Sequence, residues 1–205
     1  PLRVASVTVS INNGAPLAAT INADGTWTLN VDSATLQALP DGVLPVTVTV
    51  TDTADNQSTG QGSFEAIINA LPQANYVTPF GDFTINSAET KSDQLITGNT
   101  GVTGTGQTVS VVLGTKTYTG TVNENGDWTV RVPQADLAAL SDNDSLPFSV
   151  TVSDRAGNTA TTDAQQTPDV TVHTALPAPT VTDPFGDGIV NISEAAGEVT
   201  LAGLT

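Results

Sequence analysis

The stretch "NGDWTVRVPQADLAALSDNDSLPFSVTVSDRAGNTAT", residues 125–161, has an earlier partner in "DGTWTLNVDSATLQALPDGVLPVTVTVTDTADNQST", residues 24–59. The pairing sets Trp27 against Trp128 and Asp52 against Asp154. A second echo couples "PFGDFTINSAE", 79–89, to "PFGDGIVNISE", 184–194, with Asp82 and Asp187 separated by 105 residues (187 minus 82). "ALP" also recurs, at 70–72 and 175–177. A period of this length far exceeds the roughly 20–50 residues of solenoid repeats and propeller blades and equals one small independent domain. The chain is therefore an array. Residues 1–71 correspond to the later part of the repeat, 72–176 form a complete copy, and 177–205 begin a third.

Within each copy the dominant signal is alternation of apolar and polar residues. "SVTVSI" (6–11), "WTLNV" (27–31), "VTVTVT" (46–51) and "FSVTVS" (148–153) read as half-buried strands. Val, Thr and Ile suit a pleated surface, and "NADG", "NENGD" and "DRAGN" supply turns. In the complete copy strands are expected near 74–80, 93–98, 108–114, 117–123, 127–132, 147–153 and 159–173. Helical signals are confined to "DSATLQAL" (32–39) and "PQADLAAL" (133–140), each a short crossover after a capping or proline start. Seven strands in about 100 residues define an all-β chain of tandem immunoglobulin-like β-sandwiches. Trp27 and Trp128, each on an alternating strand, are expected to plug the cores.

Composition narrows function. Asp plus Glu number 21 against 5 Lys plus Arg, a net charge of -16. Such a chain is repelled by phosphate backbones and anionic lipid surfaces, so nucleic acid is excluded as a partner. No apolar run reaches the roughly 18 residues of a membrane span, so insertion is not expected. With no cysteine there are neither disulfides nor thiolate chemistry. His173 lies in the alternating "DVTVHT", with no nucleophile placed beside it by spacing, and no catalytic residue is assigned. The reading is of a non-enzyme.

The residues "KTYTGTVNENGDWTVRVPQADLAAL", "FSVTVSDRAGNTAT" and "PFGDGIVNISEAAG" resemble the bacterial Ig-like domains repeated in giant cell-surface adhesins and biofilm proteins, usually exported by type I secretion. The resemblance covers essentially the whole chain, with "DTADN" in the first copy departing from the D-x-A-G-N turn. It implies an extracellular, cell-surface stalk whose partners are the neighbouring repeats and whose junctions calcium rigidifies.

The echoed loop also carries candidate chemistry of its own. Asp82, Asn86 and Glu89, copied as Asp187, Asn191 and Glu194, offer two carboxylates and an amide oxygen, the hard ligands calcium takes. The absence of Cys and the single His disfavour zinc. The spacing is not that of an EF-hand loop. The same Asp and Asn side chains can instead shape a turn by bonding the backbone, and both readings stand at the level of sequence. Asp52, Asp154 and Asn158, on the turns that end the alternating strands, form a second set expected to face the preceding domain and able to share a cation. The function indicated is a calcium-stiffened structural spacer of an adhesin. The alternative is an Ig-like module that grips a glycan, a host protein or a biofilm surface through loops such as 97–108.

Overall fold

The computed structural model describes residues 4–176, 178–182, 185 and 187–204. The first copy contains β1 (Val4–Ile11), β2 (Leu17–Ala18), β3 (Thr20–Ile21), β4 (Trp27–Thr28), α1 (Ser33–Gln37), β5 (Gly42–Asp52) and β6 (Gln57–Ala66). The second contains β7 (Asn75–Tyr76), β8 (Thr84–Asn86), β9 (Gln94–Asn99), β10 (Thr108–Leu113), β11 (Lys116–Val122), β12 (Asp127–Val132), α2 (Gln134–Leu137), β13 (Ser145–Leu146), β14 (Phe148–Ser153), β15 (Thr159–Thr161) and β16 (Val170–His173). A final pair, β17 (Thr180–Thr182) and β18 (Ala202–Leu204), follows.

Alternation builds the second unit. In β14, Phe148, Val150 and Val152 point inward while the residues between them are partly exposed. They lie opposite Leu113, Val111 and Val109 of β10 in antiparallel register. The facing layer contributes Trp128, Val130 and Val132 from β12 and Ile96 from β9. Strand β11 pairs with β10 from Lys116 to Gly120 and with β12 at Thr121 and Val122, so it passes from one layer to the other. Leu137 of α2 closes the core where the chain crosses between layers. The result is an all-β immunoglobulin-like sandwich.

Two strand expectations are corrected. The segment 159–173 is not one strand but β15 and β16, which join different sheets. Between them Asp163 accepts the Gln165 amide at 2.9 Å and nucleates a turn, and Pro168 supplies no ladder donor. The echoed stretch 79–89, read as a loop, contains β8, whose Ile85 is fully buried and which pairs in parallel with β16, Ile85 opposite Val172.

The expectation for Trp27 is also corrected. Trp128 is 1% exposed but Trp27 is 41% exposed. Strand β9 covers Trp128 in the second unit and places Gly98 opposite it; a Cβ on Gly98 would lie 2.4 Å from the indole and 2.1 Å from the Asn75 carbonyl. Only glycine fits that approach. In the first unit β4 pairs with β3 alone, and no described strand covers its other side.

Candidate functional site

The Asp–Asn–Glu loop is built by its own hydrogen bonds, and both copies use the same set. Asp82 Oδ1 accepts from the Thr84 amide at 2.8 Å, and Asp187 Oδ1 from the Ile189 amide at 2.9 Å. Asn86 Oδ1 accepts from the amides of Ala88 and Glu89 at 2.8 and 3.2 Å, while Glu89 Oε2 accepts the Asn86 amide at 2.8 Å. Asn191 and Glu194 repeat this reciprocal pattern at 3.0, 3.1 and 2.9 Å. It is a capping box, in which two side chains satisfy each other's backbone donors at the start of a helical turn. The preceding turn is held open by residues in the left-handed region, Phe80 (φ 56°) and Phe83 (φ 62°), matched by Phe185 (φ 61°) and Gly188 (φ 76°). Packing of Phe80 and Phe83 against the core offsets that strain, and Tyr76, Phe83 and Phe148 meet edge to face at 5.3–6.1 Å.

Parallel pairing with β16 sets the loop's position: His173 lies opposite Asn86, so residues 86–92 sit at the pole from which the chain leaves the second unit. The Asn86 carbonyl is committed to two amides. No hydrogen bond within the described residues reaches Asp82 Oδ2, Glu89 Oε1, Asp187 Oδ2 or Glu194 Oε1.

At the opposite pole, Asp154 closes the "SDRAGN" turn. Its carboxylate accepts from the amides of Ala156 and Asn158 at 2.8 and 3.0 Å and from the Asn158 side-chain amide at 2.7 Å. Asp52 makes the same three bonds to Ala54 and Asn56. The departure "DTADN" thus keeps the turn. Asp55 takes φ 61° where Gly157 takes φ 90°, and Asp is among the few side chains tolerated there. Only Asp154 is buried, at 7% exposure, because its turn docks on the first unit.

A further pair of acids ties down the linkers. Asp41 accepts from the backbone amides of Ile68, Asn69 and Ala70 at 2.7, 2.9 and 2.7 Å. These donors, Ile68 first, pull its carboxyl down to about 2. Asp142, at the equivalent position, accepts from Thr174 and Ala175 at 2.8 and 2.9 Å, and its carboxyl is likewise lowered, by Ala175 and then Thr174. In the sequence the pair shares a constant offset of 101 (142 minus 41) ahead of the two "ALP" linkers.

Linker and turn meet in one seam. Asn158 donates its side-chain amide to the Ile67 carbonyl at 2.8 Å, Arg155 pairs with Glu65, and the Gln73 amide donates to the Thr100 carbonyl at 2.7 Å. The cleft between them, about 430 Å³, is lined by Asp41, Glu65, Gln107, Asp154 and Arg155 among others. No group of three or more His, Cys, Asp or Glu side chains close enough to share an ion is present among the described residues. No described helix is long and apolar enough to cross a membrane.

Sandwich, repeated poles and clamped linker together define a tandem array of immunoglobulin-like domains. Residues 1–66 match the family model of a bacterial Ig-like domain. A bacterial immunoglobulin-like domain from the M. primoryensis ice-binding adhesin is 33% identical, the match covering 51% of this chain and 95% of that domain with a TM-score of 0.30. The chain belongs to the bacterial Ig-like domain family. It is also 32% identical to a Ca2+-stabilized adhesin that helps an Antarctic bacterium reach out and bind ice, over 99% of this chain and 48% of that one, with a TM-score of 0.41. A third likeness, at 31% identity and TM-score 0.44, is to a structure from a 1.5-MDa bacterial ice-binding adhesin retained at its host cell surface, covering 99% of this chain and 64% of that one. The chain thus spans about half the length of the first of these two adhesin structures. No curated protein matches it.

Proposed function

We propose that this chain is a non-catalytic spacer segment of a large extracellular bacterial adhesin, in which calcium neutralises and stiffens the junctions between repeats. The seam carries this reading: Asp41 and Glu65 from one unit face Asp154 of the next, with Arg155 the single side-chain cation among the residues lining the cleft. Units joined by a short linker move by default unless something fixes their interface. Here direct bonds, Asn158 to Ile67 and Asp41 to the linker amides, supply the first restraint.

Calcium supplies the second restraint. Asp82, ahead of β8, and Glu89, after it, each keep one carboxylate oxygen outside the hydrogen bonds of the described residues, and the copy carries the same residues as Asp187 and Glu194. Those four carboxylates act as ligands in this proposal, while Asn86 and Asn191 hold the turns that present them. Asp154, Asn158 and the matching Asp52 belong to the facing pole, where a cation would add its charge to that of Arg155. Hard carboxylate and carbonyl oxygens suit calcium, and one similar adhesin is described as Ca2+-stabilized. Binding to the folded state alone stabilises it by mass action. Outside the cell, where calcium is plentiful, junctions would stiffen; in the calcium-poor cytosol they would stay loose.

Thermal unfolding and small-angle scattering with calcium and with chelator test the proposal. A higher melting temperature and a narrower spread of inter-unit distances in calcium are expected. An identical melt and scattering profile in both conditions would overturn it. A glycan or cell-binding assay separates the alternative module, since saturable binding by this segment would make it a recognition domain.

A further inference from the structure

We propose that the entry pole of the second unit is a preformed docking surface for the exit pole of the first, held ready by a buried Thr100–Gln107 knot and specified by Arg155 against Glu65. This docking surface rests on the spacer reading but needs no ion. Fully buried Thr100 turns its hydroxyl to Gln107 Oε1 and to the Val102 carbonyl, the latter at 3.0 Å. Gln107 Nε2 donates in turn to the carbonyls of Val102 and Gly104 at 3.2 and 2.9 Å, and the Gly104 amide donates to the Glu124 carbonyl at 2.8 Å. The glycine-rich loop 100–107 is thereby fixed from inside, since a satisfied buried polar network rigidifies what it holds.

Both elements that reach the first unit are seated on this loop. The linker is bound where the Gln73 amide donates to the Thr100 carbonyl at 2.7 Å. Arg155 lies over Gly106, φ 80°, so closely that a Cβ on that glycine would stand 3.0 Å from the arginine Cβ. Its guanidinium pairs with Glu65, and both side chains are more than a third exposed. An exposed ion pair ordinarily contributes little, because two long side chains must be ordered to form it. Packing of the Arg155 stem on a fixed loop removes part of that cost in advance.

The pair is also peculiar to this junction. With the two turns aligned, Arg155 stands where the first copy has Thr53. Counted back from the two "ALP" linkers, Glu65 stands where the second copy has Val170. Neither the entry turn of the first unit nor the exit strand of the second could supply the same contact. Discrimination among similar repeats needs such a difference, so the two units are cognate neighbours and their order is written into the seam.

Spin labels on cysteines introduced at Thr59 and Thr119, one exposed site in each unit, report the inter-unit distance in the full chain with chelator present. A single narrow distance is expected without calcium. Arg155→Thr and Glu65→Val should each broaden it, the two together no further, and the exchanged pair Glu65→Arg with Arg155→Glu should restore it. Thr100→Val should broaden it by loosening the loop, and the exposed pair keeps the test independent of any effect of that variant on folding. A distribution that is broad in chelator, or one that both single substitutions leave narrow, overturns the proposal. Narrowing only on addition of calcium would overturn it while supporting the calcium-stiffened spacer. A distance equally narrow with and without calcium supports this docking surface and removes the ion from the junction.

Discussion

Asn158 of the second unit donates its side-chain amide to the main-chain carbonyl of Ile67 in the first at 2.8 Å, and the same amide nitrogen reaches Asp154 at 2.7 Å. One side chain therefore closes its own turn and holds the preceding repeat. Asn158→Ala should cost the junction one hydrogen bond, about 1 kcal/mol, and broaden the inter-unit distance distribution seen by scattering. The second sandwich should also lose about 1 kcal/mol or more, since the buried Asp154 carboxylate loses the same amide.

Acid should release the linker. Asp41 is depressed from 3.8 to about 2 by the Ile68, Ala70 and Asn69 amides, so the bonded carboxylate is favoured in the folded state. Its contribution is complete above the unfolded value near 3.8 and disappears as pH falls through about 2. Hydrogen exchange at amides 68–70 should lose protection across that window. In Asp41→Ala the protection should already be absent at neutral pH.

Legibility in the sequence followed burial. Strands β10, β12 and β14 were readable because each alternates over six residues with one face in the core. Strand β8 was not, since three residues with one buried Ile85 leave no period to detect. Trp27 was misjudged because its pattern is that of Trp128, while the strand that would cover it is not adjacent in the chain. The repetition of Asp82, Asn86 and Glu89 was legible, but spacing could not distinguish a capping box from an ion site. The sequence places Asp41 at the junction opposite Asp154 and Asp142 among the solvated loop acids, but not their clamping of the linkers, because their partners, linker amides 27–33 residues downstream, are brought near only by the fold.

The capping box and calcium contact can be separated by substitution. Asn86→Ala should cost about 1 kcal/mol with or without calcium, as loss of an N-cap does. Asp82→Asn with Glu89→Gln should instead reduce the calcium-dependent rise in melting temperature. Paired melts in calcium and chelator distinguish the two effects.

Trp128 and Trp27 should differ sharply despite their matched sequence positions. Trp128→Ala removes a fully buried indole and should cost about 3–5 kcal/mol. Trp27→Ala, measured in dilute solution, should cost about 1 kcal/mol or less. Gly98→Ala should destabilise by about 3 kcal/mol, since its Cβ meets backbone oxygen and a packed ring. Denaturant titration of each variant gives the comparison.

The parallel pairing of β8 with β16 has a mechanical meaning. The chain enters the second unit ahead of β8 and leaves it after β16, and these strands run side by side with Thr84 opposite Thr171 and Asn86 opposite His173. Tension along such a stalk would pull the two strands in opposite directions along their common axis, loading their ladder in shear, so that its bonds resist together instead of opening one after another. Each repeat would then behave as a latch, yielding abruptly above a threshold pull and holding its length below it.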